Sequence, residues 1–245
     1  MSLNKTWGIV GLGWLGLALS NQLKKSGHDF WGTHRSSFTF GNDPFPTLDL
    51  KNKCDVLFLN TPPILKLSPN DFVQQISIEP KFKLIFISST SVFGDNQSLC
   101  TENLIPKPQT ESGQWLLSVE IELLKKFKDQ LLVIRPGGLI GDKRHPVFYF
   151  PKDIENSGGM NPVNLIHRDD LIEIILQAED LNLKGTLNAV APEHPSRQEY
   201  YNKWADKLNL PEINFKNECT SSKQVESILL PQFYTNWKYP KLDEL

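Results

Sequence analysis

Hydrophobic positions along the chain fall into short unbroken runs bounded by turn residues, and between the runs lie stretches with a helical period. Trp7-Gly8-Ile9-Val10 is the first run. Leu15 to Lys25 follows as a helix that ends in lysines and then Gly27, a suitable closing glycine. Asp29 to Thr33 reads as a second strand, and Val56 to Asn60 as a buried strand closed by Thr61-Pro62-Pro63. From Ser36 to Pro46 no helical period is present, so the second crossover is expected to be abbreviated. Ser68-Pro69 supplies an N-cap and a proline at the first helical position, opening a helix to about Ile76. Leu84 to Ile87 and Leu131 to Ile134 are further strands. Between them Glu111 to Lys128 forms a long helix, with Glu122 and Lys126 at a supportive spacing. Strands alternating with amphipathic helices predict βαβ units and a parallel sheet.

Beyond Pro136 the texture changes. Residues 137–162 are rich in Gly, Pro and polar side chains and read as a loop lobe. Asp169 to Asp180 is helical and Thr186 to Val190 a strand. Ser196-Arg197-Gln198-Glu199 is a capping box opening a helix to about Leu208.

Gly11-Leu12-Gly13-Trp14-Leu15-Gly16 is a GxGxxG placed directly between a strand and a helix, the context that gives the pattern meaning. The first glycine permits a tight turn, the second lets the backbone approach a pyrophosphate, and the third lets helix and strand pack closely. Free amide N–H groups and the helix dipole then favour phosphate. Gly11, Gly13, Trp14, Leu15 and Gly16, with Thr61 and Pro62 in the turn after the next strand, are therefore the candidate cofactor-binding residues. An NAD-selective site usually carries an acid at the end of the second strand. Gly32-Thr33-His34-Arg35-Ser36-Ser37 has none, and Arg35 with Ser36 suits a 2′-phosphate. The cofactor is expected to be NADP or NAD, with NADP favoured.

Composition narrows the partners. A net charge of -2 gives no basic field for nucleic acid. The three cysteines, Cys54, Cys100 and Cys219, are isolated, which argues against a metal cluster or a disulfide framework and suits a reducing cytoplasm. No apolar stretch approaches the ~18 residues of a membrane span. The run from Gly8 to Leu19 is interrupted by four glycines and reads as strand, turn and helix rather than as a leader.

Several segments carry a family resemblance. Ser88-Ser89-Thr90-Ser91-Val92-Phe93-Gly94 resembles the "SS…VYG" signature of the extended short-chain dehydrogenases/reductases, the nucleotide-sugar epimerase and dehydratase family. Arg135-Pro136-Gly137-Gly138-Leu139-Ile140-Gly141, then Asn164 to Asp170, then Gly185 to Pro192 are similar to its later segments, in the family's order. The late Tyr239-Pro240 fits its C-terminal tail. The resemblance covers nearly the whole chain. It implies a Rossmann-type doubly wound parallel α/β sheet with a small C-terminal substrate lobe. Residues 1–136 would form the NAD(P)-binding core, and residues 137–245 a mixed region completing the sheet and forming the lobe. It implies a catalytic role for Ser89, whose hydroxyl would hydrogen-bond the reacting substrate oxygen. Thr90, Arg135, Arg144 and Tyr149 are the candidate substrate contacts, and the long helix is where such proteins often form homodimers.

One departure stands out. The family's acid–base group is a Tyr four residues before a Lys on the helix after the serine strand. Aligning on Glu120 puts Ser112 and Leu116 there, the nearby register on Glu122 puts Gln114 and Ser118 there, and residues 105–128 contain no Tyr. Gly113-Gln114-Trp115 resembles an atypical branch that often reads "GRWR". Tyr149, His145, Arg144 and His167 are candidate substitutes, with Lys143 and Arg144 alternatively holding an anionic substrate group. The expected function is an oxidoreductase or epimerase acting on a sugar nucleotide or similar hydroxylated small molecule. The alternative is a non-catalytic NAD(P)-binding redox sensor.

Overall fold

The structure is a computed structural model, described here for residues 4–34, 54–76, 82–151 and 154–242. Its centre is a six-stranded sheet, every neighbouring pair parallel. Chain order gives β1 (Thr6–Val10), α1 (Trp14–Lys25), β2 (Asp29–Thr33), β3 (Val56–Leu59), α2 (Pro69–Gln74) and β4 (Lys83–Ile87). There follow β5 (Ser98–Cys100), α3 (Glu111–Phe127), β6 (Leu131–Pro136), β7 (Gly138–Ile140), β8 (Leu165–His167) and α4 (Arg168–Asp180). The chain closes with β9 (Gly185–Ala189), α5 (Arg197–Lys207), β10 (Lys223–Val225) and α6 (Leu230–Phe233). The sheet runs β2-β1-β3-β4-β6-β9. The order reverses direction between β1 and β3, and the crevice beyond the carboxyl ends of those strands is where ligands bind in such sheets.

The unbroken apolar runs have a plain cause, because both faces of this sheet are covered. Along β3, Val56 and Phe58 join the core on one face, while Leu57 and Leu59 join the core on the other. Helices α1 and α4 cover the first face through Leu15, Leu19, Leu23, Leu171 and Ile175. Helices α2 and α3 cover the second through Phe72, Val73, Trp115, Val119 and Leu123. A third core, built on Ile140, Leu165, Tyr200, Trp204 and Phe215, belongs to the C-terminal half. That half also contributes to the main sheet, where β9 pairs with β6.

Local chemistry sets the element ends. α1 closes in a Schellman motif: His28 N–H donates to Leu23 C=O at 3.0 Å and Gly27 N–H to Lys24 C=O at 3.3 Å. Gly27 takes φ +78° there. Ser68 caps α2 by accepting from Asp71 N–H at 3.1 Å, and Ser196 caps α5 by accepting from Glu199 N–H at 3.2 Å. The expected pairing of Glu122 with Lys126 does not form. Glu122 pairs with Lys125 at 2.6 Å. Lys126 reaches across to the Val73 and Ile76 carbonyls (3.1 and 2.9 Å), where its charge meets the negative end of α2. The loop lobe expected over residues 137–162 contains β7, which pairs in parallel with β8. A second small pair joins β5 to β10.

Candidate active site

The carboxyl ends of β1, β3, β4 and β6 place the glycine turn, Asn60-Thr61-Pro62, Ser88-Ser89-Thr90 and Gly137 along one edge of the sheet. Each glycine of the turn meets a different constraint. Gly11 has φ +102°, and a Cβ there would stand 2.2 Å from the Asn60 carbonyl oxygen. A Cβ on Gly16 would stand 2.3 Å from the Gly11 carbonyl oxygen, so α1 and the turn pack backbone to backbone. A Cβ on Gly13 would meet nothing within 4 Å. The turn is thus closed against protein at its first and third glycines and clear at the second.

Further bonds hold the turn in place. Leu12 N–H donates to Thr33 C=O at 2.8 Å, Gly11 N–H to Thr33 Oγ1 at 3.3 Å, and the Asn60 amide to Gly11 C=O at 3.2 Å. Gly13 caps α1 without a side chain, and the first turn of α1 carries no acid. The N–H groups of that turn face no competing carboxylate from their own helix. Beside it, the buried Thr61 Oγ1 has no hydrogen-bond partner among the described residues, and Pro62 is exposed. A clear second glycine, free helix-end donors and an unpaired hydroxyl together suit a dinucleotide pyrophosphate. Arg35 and Ser36 lie outside the described residues. Among the described residues no cluster of three His, Cys, Asp or Glu side chains could hold a metal ion.

Ser89 is half-buried in extended backbone and caps the short 3-10 turn Thr90–Val92, its Oγ accepting from Ser91 N–H at 3.1 Å. With that lone pair used, the hydroxyl proton is available to a substrate oxygen. Thr90 is nearly buried in the same turn. Ser88, one residue earlier, faces inward and meets Glu120 of α3 at 2.5 Å. Arg135 does not point to the cleft as a substrate contact would. Its side chain is 6% exposed, and Nη2 and Nε hold Glu120 at 2.6 and 3.1 Å. Its guanidinium also lies 5.1 Å from the centre of the Phe93 ring. The Ser88–Glu120–Arg135 cluster ties α3, β4 and β6 together beneath Ser89.

The α3 positions that would carry the family's Tyr and Lys hold neither. Leu116 is packed into the core, and Ser112 Oγ lies 3.3 Å from Thr110 Oγ1. Gly113 allows α3 to approach the serine loop, since a Cβ there would be 2.4 Å from Ser91 C=O. Of the candidate substitutes, His145 is buried, with Nε2 2.7 Å from the Tyr200 hydroxyl and Nδ1 accepting from Val147 N–H. Burial pushes its imidazole down to about 4. His167 caps α4 by accepting from Asp169 N–H at 3.1 Å, and burial lowers it too. Tyr149 is 80% exposed on the lobe. Arg144, expected beside the substrate, stacks on Trp14 of the glycine turn, Cζ 5.1 Å from the ring centre. Trp14 was among the expected cofactor-binding residues; what sequence reading missed are Asn60 and the stacking of Arg144 and Arg168 on that indole. An asparagine after a strand carries no distinctive signal, and the bulky residue inside the glycine motif was the one available hint.

No family model matches the chain. Protein YeeZ of Escherichia coli (strain K12) is 30% identical over 247 residues, covering 88% of each chain. The chain belongs to the YeeZ family. Its fold is that of the extended short-chain dehydrogenases/reductases. A functionally unknown conserved protein from Silicibacter pomeroyi superposes with TM-score 0.79 at 20% identity, covering 98% of this chain and 96% of that one. A dTDP-4-dehydrorhamnose reductase of Clostridium acetobutylicum gives TM-score 0.71 at 17% identity, with 90% and 89% covered. The human epimerase family protein SDR39U1 with NADPH gives 0.73 at 15% identity, with 97% and 96% covered. At these identities the likeness concerns the fold. Among the described residues no helix is long and apolar enough to cross a membrane.

Proposed function

We propose that this YeeZ-family protein binds a nicotinamide dinucleotide at the glycine turn and is an oxidoreductase or epimerase of a sugar nucleotide or similar hydroxylated substrate. The observation that carries the reading is the division of labour among the glycines, with Gly13 clear while Gly11 and Gly16 abut protein backbone. Members of the same fold include a dTDP-sugar reductase and a protein with NADPH bound, which supports the substrate class and the cofactor. The N–H groups of Gly13, Trp14 and Leu15 would hold the pyrophosphate, and Thr61 Oγ1 would find its missing partner on the cofactor. When bound, the nicotinamide supplies hydride transfer. Ser89, half-buried at the edge of the sheet, orients the substrate oxygen through its free hydroxyl proton, and protons exchange with water. With no acid at the carboxyl end of β2, the ribose end favours NADP through Arg35 and Ser36. Exposed Ile121 and Leu124 on α3 support a homodimer through that helix. The cytoplasm, with its reduced thiols, is the compartment this reading suits. The core packing of Leu116, where a lysine would assist catalysis, favours the second reading of a redox sensor.

The test is turnover. Purified protein with reduced cofactor is offered dTDP- and UDP-linked keto sugars, and loss of nicotinamide absorbance is followed. Turnover of at least one, abolished in Ser89→Ala, is expected. Saturable cofactor binding with no turnover across the panel would contradict the enzymatic part and leave the sensor.

A further inference from the structure

Two guanidiniums stack on the indole of Trp14, the first residue of α1, with Arg168 Cζ at 4.6 Å and Arg144 Cζ at 5.1 Å from its centre. Their charges are not equivalent. Arg168 is neutralised by Asp142 at 2.6 Å and Asp169 at 3.2 Å, and the nearby guanidinium holds the Asp142 carboxyl below the usual range. Arg144 is exposed, and among the described residues it has no carboxylate within ion-pair distance. A cation free to bind an anion thus stands beside the helix end whose N–H groups are clear of acids.

The backbone holds that cation in place. Gly141 N–H donates to Arg144 C=O at 3.1 Å and Arg144 N–H to Gly141 C=O at 2.8 Å, closing a two-residue turn. Its central residues, Asp142 and Lys143, take φ 36° and 61°, the left-handed pair of a two-residue turn in which aspartate is favoured and lysine is not. Two contacts hold the turn. Asp142 is pinned to Arg168 on one side, and His145 is buried against Tyr200 and Trp204 on the other. Arg144 is therefore delivered to Trp14 by a braced turn and not by a loose loop.

We propose that Arg144 is a cofactor ligand that closes over the dinucleotide pyrophosphate from the opposite lobe, and is not a substrate contact. This rests on the dinucleotide reading of the glycine turn. The planar fork can bridge two phosphate oxygens while its face stays on the indole, a geometry lysine cannot reproduce.

Calorimetric titration of NADPH and NADH into wild type, Arg144→Ala, Arg144→Lys and Lys143→Ala tests this. Lys143 is the control for charge alone, because it is the exposed cation next to Arg144 on the same turn and does not stack on Trp14. Arg144→Ala is expected to weaken both cofactors alike by about tenfold and to flatten the salt dependence of Kd, the loss of one charge-assisted contact. Arg144→Lys should fall between, and Lys143→Ala should stay within about twofold, in the range of surface charges. Equal affinities in wild type and Arg144→Ala would overturn the assignment. A loss confined to NADPH would also overturn it, since Arg144 would then read the 2′-phosphate. Absence of binding in folded wild type would instead remove the dinucleotide reading itself.

Discussion

Alanine at Gly13 separates the ligand from the fold, because the structure gives this position room and a permissive backbone. Its φ and ψ are −85° and −157°, an extended conformation open to any L-residue, and a new Cβ has no protein atom within 4 Å. Loss of glycine at an N-cap costs about 0.5–1 kcal/mol. The reduced freedom of the unfolded chain returns about 0.4–1 kcal/mol. The melting temperature of Gly13→Ala should therefore stay within about 3 °C of wild type. The added methyl occupies the space a phosphate would take, and an overpacked contact of this kind costs about 1–3 kcal/mol. That is a loss of about 5- to 150-fold in affinity. Gly11→Ala provides the contrast. With φ +102° and a Cβ 2.2 Å from Asn60 C=O, it must shift the backbone. A cost of about 3 kcal/mol or more is expected, or about 6–12 °C in melting. The assay pairs thermal melting with cofactor titration on the same preparations. A Gly13→Ala protein that melts like wild type and binds with unchanged affinity would refute the placement of the pyrophosphate.

Three other outcomes follow from the same geometry. Ser89→Ala should lower kcat about 10²- to 10⁴-fold while leaving cofactor affinity unchanged, because the hydroxyl lost orients the substrate oxygen and otherwise caps only the short turn that follows it; a parallel loss of cofactor binding would place Ser89 elsewhere. Glu120→Ala leaves the Arg135 guanidinium buried and unpaired and should destabilise the protein by about 3–5 kcal/mol in a denaturant titration, and a change below about 1 kcal/mol would show that the pair is solvated. His145 has a folded pKa near 4, below its ordinary value, so the unfolded chain binds the extra proton first. Its contribution to stability is present above about pH 6.5 and fades as pH falls towards 4, by about 2 kcal/mol. The slope of stability against pH over that window should be shallower in His145→Gln, and an unchanged slope would contradict the burial argument.

The sheet was legible because a strand covered on both faces needs an unbroken apolar run, and Val56–Leu59 and Leu84–Ile87 carry nothing else. Capped helices were legible for a local reason: Ser68-Pro69 and Ser196 do their work within three residues. The short strands β5 and β10 were not, since three residues such as Lys223-Gln224-Val225 have no period to read and pair only because distant segments meet. Polar side chains at the cleft were the hardest to place. Arg135 and Arg144 look equivalent in sequence, yet a glutamate 15 positions back in the chain draws one into the core, while Trp14, from the first crossover, holds the other at the surface. Such choices depend on long-range partners, which the order of residues does not disclose. The glycine turn was readable because its three glycines stand within six residues between a strand and a helix, although the carbonyl that Gly11 must avoid, at Asn60, comes from the end of β3.

The most direct measurement is a calorimetric titration of the purified wild-type protein with NADPH and NADH, each in its oxidised and reduced form, alongside circular dichroism to establish folding. Saturable binding of at least one cofactor is predicted, tighter for the 2′-phosphorylated form. A folded protein that binds none of the four would make the glycine turn architecture alone and contradict the account.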